Sequence, residues 1–78
     1  MLRPEGEAKT DSDNERLLAA LEANWQAEME GHYTYSALAK GETKSTAAER
    51  FTCLAAAEKH HAGLWAERIL ELGGQVPK

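Results

Sequence analysis

The sequence has little of the material that stabilises or anchors many small proteins. Cys53 is the only cysteine, so no disulfide can form within the chain, and we expect a reducing, cytoplasmic location. No apolar run approaches the roughly 20 residues of a membrane span, and the polar first residues do not predict a signal peptide. Basic residues number 9 against 13 acidic ones, and the net charge of −4 argues against nucleic acid as a partner.

The short length limits what the chain can do alone. A chain of 78 residues forms one domain at most, and its own core is thin. Small scaffolds usually need disulfides, metal or oligomerisation, and disulfides are already excluded. Metal binding and association therefore remain as the two ways to complete the core.

The first half of the chain predicts one long helix. Residues 1–13 are polar and without period, which is typical of a flexible acidic arm. The helix is expected to start near residue 14, with Asp13 as its N-cap, and to end at Lys40. Gly41 would then be the left-handed residue after the helix.

The second half predicts a loop, a second helix and a short tail. The loop covers residues 42–45, and Thr46 and Glu49 have the spacing of a capping box that opens the next helix. This helix is expected to end at Leu72, before two glycines, and residues 75–78 form a tail or linker. Residues 14–74 would thus make an all-α, antiparallel hairpin of two helices.

Each helix carries one apolar stripe with steps of three and four residues. The stripe of the first helix is Leu17, Leu21, Trp25, Glu28, His32, Tyr35 and Leu38 or Ala39; that of the second is Phe51, Leu54, Glu58, His61, Trp65, Ile69 and Leu72. Two helices cannot cover two such wide stripes, and an exposed apolar patch of this size is an association site. We therefore expect two hairpins to pair into a four-helix bundle.

Polar residues interrupt both stripes at one height. Glu28 lies fifteen residues before Thr43 at the loop centre, and Glu58 lies fifteen residues after it, so folding the hairpin there brings both carboxylates level. His61 follows Glu58 by three residues and projects to the same side. Because carboxylates are rarely buried unpaired, this pattern predicts half of a metal site inside the core.

A second copy related by a twofold axis would double this half-site. Four Glu and two His form the ligand set of di-iron carboxylate bundles, in which two helices each give a Glu and two give Glu-x-x-His. Such ligands suit iron and manganese, and zinc can also use them. In the alternative interpretation, the carboxylates lie at the edge of the stripe and form ion pairs with Lys or Arg.

These residues resemble a known family. The spacing Glu28-x6-Tyr35 followed by Glu58-x-x-His61 is similar to the rubrerythrin-type branch of the ferritin-like superfamily, including the encapsulated ferritins. The runs 28–39 and 57–68 also resemble the ferritin-like domain of vacuolar iron transporter family proteins. The resemblance implies ferroxidase chemistry at two iron ions, with Glu28, Glu58 and His61 as ligands and Tyr35 as a hydrogen-bond donor beside them.

The remaining polar residues are expected to have lesser roles. His32 is interpreted as a core histidine bonded to a carboxylate, with direct metal ligation as the alternative. Glu30 is assigned to the solvated face, with a secondary metal site as the alternative, and His60 to the surface. Cys53 is expected to be semi-buried. Trp25 and Trp65 are interpreted as core packing, and Tyr33 as peripheral.

Three functions follow from this interpretation. The first is oxidation of Fe(II) to Fe(III) at a site shared between two subunits, in iron storage or detoxification. The second is a non-catalytic domain that senses or delivers iron and is attached to a membrane iron transporter. The third is a purely structural dimerisation module. The partners expected are a second copy of the chain and, from the resemblance, an encapsulin shell or a transporter domain, although no encapsulin-docking peptide is recognised at the C-terminus.

Overall fold

The structure, a computed structural model, describes residues 3–77, with side chains from residue 12 onward. It contains two helices, α1 from Arg3–Gly41 and α2 from Ser45–Glu71, and no strand in this part of the chain. The helices pack against each other as an antiparallel hairpin, which confirms the predicted all-α class. The rod measures 66 × 16 × 14 Å, so it is only one pair of helices wide.

Helix α1 begins earlier than the sequence predicted. Met1 and Leu2 of the predicted arm lie outside the described residues, but the backbone is helical from Arg3, which corrects the expected start near residue 14. Pro4 lies in the first turn of this helix. Proline is tolerated in the first turn, where its missing N–H would have no partner within the helix.

The ends at the loop also differ from the prediction. Gly41 completes α1 without a positive φ, so the expected left-handed residue is absent there. The predicted capping box is wrong, because the N-cap of α2 is Lys44 and no side chain caps it. The backbone N–H of Lys44 instead donates to Glu42 Oε1 at 3.1 Å, which orders the three-residue loop.

The C-terminal end of α2 follows the prediction closely. Gly73 has a φ of +85°, and its N–H donates to the Leu70 carbonyl at 3.0 Å. The N–H of Gly74 donates to the Ile69 carbonyl at 2.9 Å, which completes a Schellman motif. This turn directs the tail back against α1, where a side chain at position 74 would lie 2.8 Å from Leu18 Cδ2.

The core of the hairpin is narrow and rich in alanine. Its buried positions on α2 are seven residues apart, and together with one buried leucine of α1 they form the seam between the helices: Leu21, Ala55, Ala62 and Ile69. The predicted stripe of α2 is rotated about 60° from this seam, at 100° per residue. Leu54 of the predicted α2 stripe is accordingly 44% exposed, and Leu17 and Leu38 of the predicted α1 stripe are 42% and 45% exposed.

No helix in the described part of the chain is both long and apolar enough to cross a membrane.

Candidate metal centre

The side chains of Glu28, Glu58 and His61 lie together, at the position along the hairpin that the sequence predicted. His61 Nδ1 lies 3.2 Å from Glu28 Oε2 and 3.6 Å from Glu58 Oε1. One donor atom from each residue lies within 4.8 Å of the other two. Glu28 comes from α1, whereas Glu58 and His61 come from one face of α2. The hairpin alone therefore brings two carboxylates and one imidazole together.

The cluster lies at an open flank of the hairpin, and this corrects the prediction that it is inside the core. The side chains of Glu28 and Glu58 are 24% and 26% exposed, and that of His61 is 52% exposed. The cause is the rotation of α2, because its seam with α1 runs through Ala55 and Ala62. Each carboxylate is thus covered on one side by the facing helix and is open to solvent on the other side.

The donor set fits a divalent transition metal. Two carboxylates and an imidazole suit iron, manganese and zinc. Bonds of about 2.1 Å place two donors on one ion no more than about 4.2 Å apart. Both contacts of His61 are already shorter than this limit, so small side-chain rotations would bring all three donors onto one ion.

The ion-pair alternative is met only in part. The carboxylates do lie at the edge of the apolar stripe, as that interpretation requires. Among the side chains that the structure describes, however, the basic group paired with both is His61 rather than Lys or Arg. Arg68 lines the groove beside the cluster, yet its Nη1 binds Glu71 Oε1 at 2.9 Å on its own helix.

An apolar groove continues from the cluster along the same flank. It has a volume of about 460 Å³ and is lined by Leu21, Glu28, His61, Leu64, Trp65 and Arg68. Leu64 is 51% exposed, and the exposure of an apolar side chain to water is unfavourable. The cluster and the exposed apolar side chains therefore share one face.

Tyr35 lies two turns nearer the loop than Glu28. Its ring stacks on Phe51, with the ring centroids 6.3 Å apart and an angle of 20° between the planes. Within the described residues its hydroxyl makes no hydrogen bond to either carboxylate of the same chain. The donor role that the resemblance implies for Tyr35 thus has no counterpart within a single hairpin.

His32 is bonded differently from the prediction. Its Nδ1 lies 2.8 Å from the Ala55 carbonyl oxygen and donates to it, so the partner is backbone and not a carboxylate. The bond links the two helices one turn from the cluster. The reason is again the rotation of α2, which places the Ala55 backbone where the sequence analysis expected a carboxylate.

The other candidate residues lie apart from the cluster. Glu30 and His60 are exposed, as expected, and neither belongs to the group of three. Cys53 is exposed, so the semi-buried position predicted for it is wrong. It precedes buried Ala55 by two residues, about 200° around the helix, and so faces away from α1.

Sequence reasoning missed Gly31. An ideal Cβ at this position would meet the Glu58 carboxylate, with Oε2 nearest and Cδ at 3.0 Å. The available signal was a glycine in a helix interior, where it is unfavourable, three residues after a candidate ligand. Gly31 is therefore the point at which the carboxylate of α2 touches α1.

Comparison with family models, curated proteins and solved structures gives no match to the chain. The ferritin-like resemblance accordingly rests on the spacing of Glu28, Tyr35, Glu58 and His61 and on the runs 28–39 and 57–68.

Proposed function

We propose that this protein is a ferritin-like ferroxidase. It would oxidise Fe(II) to Fe(III) at a di-iron carboxylate site shared between two copies of the chain, in iron storage or detoxification. The observation that supports this most is the meeting of Glu28, Glu58 and His61 within 4.8 Å on the open flank of the hairpin. Within the described residues this is the one group of three such donors, and the packing of the two helices through Leu21, Ala55, Ala62 and Ile69 does not require it.

Two chains are needed because one hairpin supplies too few ligands. Three residues cannot complete the coordination of two metal ions, whereas a twofold-related copy brings four carboxylates and two imidazoles to one place. The open flank also carries exposed Leu64 and half-buried Trp65 in the groove beside the cluster. Pairing through this face would bury both the apolar side chains and the metal centre, as in a four-helix bundle.

The residues have separable tasks in this proposal. Glu28 and Glu58 supply negative charge, which favours Fe(III) over Fe(II) because the higher charge is held more strongly. His61 would give a neutral nitrogen ligand. It follows Glu58 by one turn, so α2 holds both side chains on the same face. Two Fe(II) ions held there would give two electrons to dioxygen, which takes up two protons and leaves as hydrogen peroxide.

Oxygen consumption on addition of Fe(II) tests this function. Protein loaded with Fe(II) without oxygen should consume dioxygen on exposure to air, in proportion to the iron bound and faster than Fe(II) in buffer. Zn(II) bound first should suppress the reaction, because it occupies the same ligands without changing oxidation state. Binding of iron with no acceleration would favour an iron-sensing or delivery domain, and absence of binding would rule out both functions.

A further inference from the structure

Gly31 occupies an unfavourable position for glycine. It lies in the interior of helix α1, where glycine is the least favourable residue other than proline. Its φ is not positive, so the backbone there accepts any L-residue. The need for glycine must therefore come from the space that a side chain would take.

The Glu58 carboxylate fills that space. A Cβ at position 31 would lie 3.0 Å from Glu58 Cδ and 3.3 Å from Glu58 Cγ, and Oε2 would be closer still. Atoms do not approach a real Cβ in this way, so an alanine would push the end of Glu58 aside. Glu58 is 26% exposed and can rotate outward, so the displacement need not disturb the helices.

Gly63 provides a natural comparison. It also lies inside a helix, but a Cβ there would meet no atom within 4 Å. Both glycines thus lie in helical backbone, but they differ in the side-chain atoms that a Cβ would meet. Only Gly31 has a candidate ligand against it.

We infer that Gly31 is a positioning residue of the metal centre. Its missing side chain lets Glu58 lie flat against α1, so that its carboxylate reaches the same ion as Glu28 and His61. With alanine at position 31, Glu58 turns towards solvent and the three donors separate. This inference rests on the proposed function and adds a residue that acts on the site without touching the metal.

The test compares Gly31→Ala with Gly63→Ala by titration of each protein with Zn(II). Both substitutions should raise the thermal midpoint of the metal-free protein, because alanine is the better helix former. Gly31→Ala should weaken Zn(II) binding about tenfold or more, the effect typical of groups that orient ligands. Gly63→Ala should leave the affinity unchanged.

A double substitution shows whether Gly31 acts through Glu58. Glu58→Asp shortens the side chain and withdraws its carboxylate from position 31. In that background, Gly31→Ala should change the affinity by less than about twofold, since the two changes then remove the same contact. A purely structural role of Gly31 would instead weaken binding equally in both backgrounds.

The outcomes separate this inference from the proposed function. Wild-type affinity in Gly31→Ala would overturn the inference and leave the function intact. Loss of the metal-free fold in Gly31→Ala would also overturn it, because the glycine would then serve helix packing. A wild-type protein that binds no Zn(II) or Fe(II) would refute the function, and the inference with it.

Discussion

His61→Ala and Glu58→Ala should each abolish paired-metal binding while leaving the helices intact. Each removes a donor that a twofold-related site uses twice, so the loss should exceed the 10–100-fold typical of groups outside the ligand set. The fold should persist, because the seam consists of Leu21, Ala55, Ala62 and Ile69 and contains neither residue. Isothermal titration with Fe(II) under nitrogen, with circular dichroism of the metal-free proteins, measures both effects.

The metal-free stabilities should differ between these two variants. Glu58→Ala removes one of two neighbouring carboxylates and should stabilise the metal-free protein slightly, since like charges repel. His61→Ala removes the group that pairs with both carboxylates and should destabilise it by less than about 1 kcal/mol, because such pairs are weak at exposed positions.

The chain offers a matched control for each substitution. His60→Ala changes the neighbouring, exposed histidine, and Glu67→Ala changes an exposed glutamate on the same helix. Both should bind metal as the wild type does. If Glu58→Ala and His61→Ala also keep wild-type stoichiometry, then the ligands assigned to α2 are wrong.

Divalent metal should drive the protein from single hairpins towards pairs or larger assemblies. A ligand that binds only the paired state stabilises it, by about 2.7 kcal/mol at a hundredfold excess over its dissociation constant. Without metal, pairing must also bring four carboxylates together, which costs repulsion or proton uptake. Sedimentation velocity with Zn(II) or Mn(II) should therefore show a shift to larger species, and a chelator should reverse it.

Glu28→Gln should weaken this shift. The substitution keeps the size of the side chain but removes two of the four carboxylates at each shared site. Glu30→Gln is the control on the same helix, since Glu30 is exposed and lies outside the cluster. An oligomer distribution that ignores metal at all protein concentrations would mean that apolar contacts alone drive assembly or that the site lies within one chain.

The position of the cluster along the hairpin could be predicted from the sequence, because it depends only on the number of residues between each ligand and the loop. Both helices rise by the same 1.5 Å per residue, so Glu28 and Glu58 meet if the loop centre is correct to within about a turn. The loop proved to be residues 42–44, close to the expected position. The capping residues on either side of the loop were predicted wrongly, because capping depends on the conformation of single residues. The apolar pattern of the sequence does not determine that conformation.

The rotation of α2 could not be predicted in the same way. The stripe predicted from the sequence contains the largest side chains, and alanine contributes little to such a pattern. In the hairpin, small side chains at Ala55 and Ala62 allow close approach of the helices and form the seam. Glu58, His61 and Leu54 therefore lie outside the seam, where Glu58 is partly exposed and His61 and Leu54 are exposed.

The measurement that tests the shared site most directly is native mass spectrometry of the protein titrated with Zn(II), which counts metal ions on each oligomer separately. The proposed site predicts that, at Zn(II) concentrations where pairs carry two ions, single hairpins carry none, and that His61→Ala pairs carry none. Single hairpins that bind an ion at the same concentrations as pairs, or pairs that form without any metal bound at saturating Zn(II), would contradict it.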